Sequence, residues 1–203
     1  EAAGVTGVNI GNLAAINAAL ATTAVINTQV DTSSELQAVI NAYNLILAEA
    51  NGSAADSTFT DPAAADYTRI GVNLANNLLT GGTSVNGITL LNDVVGLQTS
   101  TGVDTPAKIE MLAGIVSRIL ATAAGNNATP PLTPADFTAI GISGVTDSNI
   151  ATILGGITAT SDTASDIASL SALQNVVTAG ANQAVAINLI VAYADKKAAR
   201  PRT

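Results

Sequence analysis

Apolar residues recur along this chain at helical spacing, in stretches separated by Gly-, Ser-, Asn- and Pro-rich punctuation. The clearest stripe is Leu36, Val39, Ile40, Tyr43, Ile46, Leu47 and Ala50. Those positions fall on one face of a helix. Thr32 and Glu35 ahead of it have the spacing of a capping box, and Asn51-Gly52 supplies the stop. The same stripe returns as Ile109, Leu112, Ala113, Val116, Ile119, Leu120 and Ala123, opened by Pro106 and closed by Gly125-Asn126. A shorter pattern precedes each and recurs once more after them: Leu13, Ile16 and Leu20, then Ile88, Leu91 and Val95, then Ile150, Ile153 and Ile157. Asn9, Thr83 or Ser84, and Thr146 or Asp147 are the expected caps. Further helices are expected near Asp61-Pro62, with Tyr67, Ile70 and Leu74 as the buried edge, and near Thr133-Pro134.

These segments are copies of one another. Ala65-Asp66-Tyr67-Thr68-Arg69-Ile70-Gly71-Val72 matches Ala135-Asp136-Phe137-Thr138-Ala139-Ile140-Gly141-Ile142. Val30-Asp31-Thr32 matches Val103-Asp104-Thr105, and Gly4-Val5-Thr6-Gly7-Val8 matches Gly141-Ile142-Ser143-Gly144-Val145. The period is roughly 70 residues, suited to a small helical module. The expected architecture is all-α: tandem, stacked three-helix modules over 1–57, 58–130 and 131–203. The alternative is one continuous irregular bundle. The first module lacks its opening helix. In the last, Gly180 is expected to break the chain before a surplus helix carrying Val185, Ile187, Leu189, Ile190 and Tyr193. Either that helix packs on its own module or it docks on the next copy, head to tail.

Composition narrows the function. Hydrophobic residues are 48% of the chain but aromatics only 2%, so each buried side chain is small and helices must approach closely. No Cys or His is present, which removes disulfides, thiolate metal sites and His-based catalysis. The net charge is −8, while Lys196, Lys197, Arg200 and Arg202 gather at the end. An acidic body disfavours nucleic acid. The apolar run near 184–194 contains Asn188, is followed by Asp195-Lys196-Lys197 and is too short for a bilayer span. Glu1-Ala2-Ala3 reads as a mature terminus or a cut end.

The carboxylate pairs Asp61/Asp66 and Asp162/Asp166 read as helix-start acids. No catalytic, cofactor or metal residue is assigned. Single acids in Asn-rich turns leave room for weak calcium binding. Gly81-Gly82 and Gly155-Gly156 lack the context of phosphate loops; the second pair marks close backbone approach or an early break. Tyr43, Tyr67 and Tyr193 occupy apolar helix positions and are expected in the core.

The run Gly4-Val5-Thr6-Gly7-Val8, Asn12-Leu13-Ala14-Ala15-Ile16-Asn17, Val30-Asp31-Thr32, Glu35-Leu36-Gln37-Ala38-Val39 and Ala42-Tyr43-Asn44 resembles GA-like modules. Those repeat in large secreted adhesins and biofilm proteins of Gram-negative bacteria. The match is close in the first module, fair around 135–144 and loose elsewhere. It implies three-helix bundles, secretion and display at the cell surface. Remotely, the pattern is similar to albumin-binding GA modules, whose binding uses aromatic and Lys residues around the second helix. Asn9-Ile10-Gly11-Asn12-Leu13-Ala14 has neither. The expected function is a non-enzymatic extracellular structural or adhesive protein: a spacer, stalk or filament subunit. Val185, Leu189, Ile190, Tyr193, Lys196 and Lys197 are its candidate self-assembly residues. The alternative is a binding module for a host or surface protein.

Overall fold

A computed structural model describes residues 4–54, 60–75, 78, 84–161 and 163–198, without the side chains of Ser84, Val85 and Asn86. The described residues contain eight α-helices and no strand. They are α1 (Leu13–Leu20), α2 (Ser33–Glu49), α3 (Ala64–Arg69), α4 (Ser84–Gly96), α5 (Pro106–Ala123), α6 (Pro134–Ala139), α7 (Ile150–Thr158) and α8 (Leu170–Ala198). Short 3-10 turns precede α2, α5 and α8.

The two long stripes bury as their spacing requires. Val39, Ile40, Tyr43, Ile46 and Ala50 of the first are buried, with Leu36 and Leu47 half-buried. All seven apolar positions of the second are buried, and Ile115 and Thr122 join them. The wider face arises because α5 lies between α4 and α7. One apolar cluster runs without interruption from Ala15 to Val177. The opening helices sit against the long helix ahead of them: α3 packs on α2, and α6 packs on α5.

Caps fix the helix starts. Thr32 Oγ1 accepts from the Glu35 amide, and Glu35 Oε2 accepts from the Thr32 amide at 3.1 Å. Thr133 and Asp136 form the same reciprocal pair at α6. The caps of α1 and α7 are Asn12 and Asn149, later in the chain than the expected Asn9 and Thr146 or Asp147. These asparagines do other work. Asn12 Nδ2 donates to the Gly7 carbonyl at 2.7 Å and its Oδ1 accepts from the Asn9 amide. Asn149 Nδ2 donates to the Gly144 carbonyl at 2.8 Å and its Oδ1 accepts from the Thr146 amide. Such bonds hold a tight turn against the helix start. A second clamp recurs in the same register. Thr6 N–H donates to Gln37 Oε1 and Gln37 Nε2 returns a bond to the Thr6 carbonyl; Ser143 and Gln174 do the same. The cap positions Thr83 and Gly81-Gly82 lie outside the described residues.

Gly180 does not end a helix. α8 runs through it from Leu170 to Ala198. A Cβ at Gly180 would stand 2.9 Å from the Ile153 Cα, so the glycine lets the backbones of α7 and α8 meet closely. The Gly155-Gly156 pair likewise sits inside α7 without breaking it. The length of α8 has a local cause. α2 and α5 are followed by Gly52 and Gly125, which take φ of +89° and +73°. In the register that pairs Gln37 with Gln174, α8 carries Leu189 where α2 has Gly52. A leucine disfavours the left-handed stop, and the helix continues.

Candidate self-association surface

Continuation of α8 past Leu189 carries its end away from the rest of the described chain. Leu170, Leu173, Val177, Gly180 and Ala184 are buried, against α7 in the main. Beyond Ala184 every described residue of α8 is exposed. Val185 is 68% exposed, Leu189 72%, Ile190 68% and Tyr193 70%, and Ile187 and Val191 share the same turns at 44% and 52%. Val185, Leu189 and Tyr193 recur every four residues and form one stripe. Ile187 and Val191 extend the apolar surface around the helix. An apolar helix surface this complete is normally covered by something. Lys196 and Lys197 occupy the last turn, where cations complement the helix dipole. All six expected assembly residues therefore meet on one bare helix end. Tyr193 is the exception to the expected core tyrosines, because no described element of the chain covers it. Tyr43 and Tyr67 are fully buried, and burial pushes both phenols well above their ordinary range.

By length and composition α8 is one helix, among the described residues, long and apolar enough to cross a membrane. Its first half is nevertheless core. The bare apolar part, 185–194, spans about 15 Å at about 1.5 Å per residue, against about 30 Å for a bilayer interior.

A second bare apolar group lies around the start of α1. Val8 is 40% exposed, Ile10 100% and Leu13 46%. Leu13 shares the helical spacing of Ile16 and Leu20, yet it stands out in solvent.

Elsewhere the polar groups are engaged in holding the fold. Tyr67 Oη donates to Asn92 Oδ1 at 2.6 Å, and Asn92 Nδ2 donates to the Pro62 carbonyl, all buried. Tyr43 Oη donates to the Val103 carbonyl. Arg118 grips both carboxylate oxygens of Asp136, at 2.6 and 3.2 Å, and joins α5 to α6. Burial would raise the Asp136 carboxyl, but the bonds from Arg118 and Thr133 outweigh it and hold it below the usual value. Asp93 Oδ2 accepts from the Leu170 amide at 2.7 Å and ties α4 to the start of α8; burial raises its carboxyl. Asp66 and Asp166 accept from the Ala63 and Ser161 amides, as helix-start acids do, and Asp61 is exposed. Asp162 lies outside the described residues. The exposed pair Asp31/Glu35 shares a hydrogen bond that raises Asp31 and lowers Glu35. Glu35 also lines an open recess of about 410 Å³ with Thr28, Gln29, Ala38, Val39, Ala65, Thr68 and Arg69.

The fold and this surface define an all-α protein with recurrent local clamps and an unsheathed apolar helix end. No protein-family model, curated protein or solved structure matches the chain.

Proposed function

We propose that the chain is a non-enzymatic structural or adhesive protein of a bacterial cell surface, built from three stacked helical units, that joins to further copies of itself through the end of α8. The observation that carries this reading is the apolar helix end, where six large side chains from Val185 to Tyr193 are 44–72% exposed. Covering one such side chain fully is worth roughly 1.5–3 kcal/mol, so a partner that sheathes several gains a substantial driving force. The recurring Asn and Gln clamps and the uninterrupted core support stacked units that lean on one another. The Thr-, Ser- and Asn-rich composition and the resemblance to GA-like adhesin modules support display outside the cell.

Sedimentation velocity of the full chain across a concentration series tests the reading. Association that grows with concentration is expected, and it is lost in Leu189→Asp/Tyr193→Asp, whose thermal midpoint stays at the wild-type value because both positions are bare in the monomer. A chain that stays monomeric throughout overturns the reading. Its apolar end would then be left for a different protein or a lipid surface, which pull-down and vesicle flotation would reveal.

A further inference from the structure

Resting on the self-association reading, we infer that the end of α8 docks on the bare face at the start of α1 of a second copy, around Val8, Ile10 and Leu13, so that copies join head to tail. The chain contains its own template for this contact. α1 and α7 are held by the same two clamps in the same register, so Val8, Ile10 and Leu13 correspond to Val145, Asp147 and Ile150. α7 lies against a preceding long helix, α5, and there Val145 and Ile150 are half-buried and pack on the core. The principal neighbour of α1 is α2, which follows it, and its Val8 and Leu13 are 40% and 46% exposed. The positions that pack on the core at the start of α7 are therefore open at the start of α1.

Two details point to a helix as the occupant of that face. Where the later copy has the exposed Asp147, α1 has Ile10, fully exposed; an apolar side chain replaces a charged one on the open surface. No charged residue lies between Gly4 and Val30, so an apolar helix can settle there without burying an unpaired charge. The last long helix of the described chain is α8. Its middle turns carry the small Ala179 and the polar Gln183 where α5 has Ile115 and Ile119, and both are exposed. Those turns therefore lack the large apolar pair that α5 buries. The matching apolar surface lies further along, on the stretch gained when Leu189 replaced the terminating glycine. Donor and acceptor surfaces differ, so the contact is heterologous and each added copy presents a new donor and a new acceptor.

Two variants separate this inference from the reading it rests on. Ile10→Asp/Leu13→Asp spoils the acceptor and Leu189→Asp/Tyr193→Asp spoils the donor. All four positions are exposed, and Asp is already the residue of the later copy at the Ile10 position, so wild-type circular dichroism and thermal midpoints are expected. Each variant alone is expected to associate roughly 30-fold or more weakly than wild type, the effect of a lost interface anchor. Mixed, they form a one-to-one pair by sedimentation velocity that grows no further, since one sound donor and one sound acceptor remain. Wild-type association in the acceptor variant, with loss only in the donor variant, overturns the inference and leaves α8 pairing with itself. Two monomeric variants that fail to pair on mixing also overturn it. A wild-type chain that never associates sinks both.

Discussion

Replacing Gly180 by Ala sets two effects of opposite sign against each other. α8 is a continuous helix at this position, and helix propensity alone favours Ala over Gly by about 1 kcal/mol. The added methyl would stand 2.9 Å from the Ile153 Cα, 3.1 Å from its Cγ1 and 3.4 Å from its amide nitrogen. Two of those neighbours are backbone in the middle of α7 and cannot swing aside. Forcing the helices apart costs about 1–3 kcal/mol. It does so in the most extensive helix pair of the molecule, α7 with α8. The steric term wins, and Gly180→Ala is expected to destabilise by about 1 kcal/mol net, with Gly180→Val worse. For a chain of this size that lowers the thermal midpoint by about 2–4 °C. Gly155 is the control. It lies within α7, is exposed, and a Cβ there meets nothing within 4 Å. Gly155→Ala keeps only the propensity gain and is expected to raise the midpoint by about 2 °C. Calorimetric melts of the two variants decide the matter. A Gly180→Ala chain stabilised to the same extent as Gly155→Ala would refute the close approach.

Tyr67→Phe removes the hydroxyl that donates to Asn92 Oδ1 and strands a buried amide oxygen, at an expected cost of about 1–3 kcal/mol in urea unfolding. The later copy tolerates Phe137 at the matching position, so shape is not the issue; Tyr67→Phe/Asn92→Leu should lose less than the sum of its single changes, and strict additivity would contradict the network. The pH dependence follows from Asp136, whose carboxyl is held below its ordinary value of 3.8 in the folded chain. Its contribution is fully present above that value and is lost as pH falls through the lowered one. The midpoint gap between wild type and Asp136→Asn is therefore expected to narrow below about pH 4, and a gap constant down to about pH 2 would rule out the Arg118 grip as its source.

What the sequence made legible was what local spacing encodes. The seven spaced positions of α5 are all buried, because 3.6-residue periodicity marks the inward stripe; Ile115 and Thr122 lie off that stripe, and their burial depends on which helices flank it. The Thr32/Glu35 box was equally plain, since both partners lie within four residues. Long-range decisions were hidden. Gly180 reads as a break in sequence because a glycine that ends a helix and one that admits a neighbouring backbone have the same letter; only the position of Ile153 distinguishes them. The Asp93 bond to the Leu170 amide and the Tyr67–Asn92 pair join residues far apart in sequence and leave no periodic trace. At the proposed assembly surface, the residues of α8 stood out by their apolarity. The bare face of α1 did not, since Leu13 obeys the same spacing as buried Ile16 and its exposure depends on which helix stands in front of it. Comparing Gly52 with Leu189 across copies was the one sequence signal that foretells an uninterrupted α8.

The central claim is that the end of α8 is a surface awaiting another copy, and hydrogen exchange across that end tests it most directly. Helical turns without tertiary support are marginal in water and open readily. Amides from Asn188 to Lys197 are therefore expected to exchange fast in dilute solution and to become protected as concentration rises, in step with sedimentation, while amides of α5 keep the same protection throughout. Exchange across α8 that is indifferent to concentration would contradict the account.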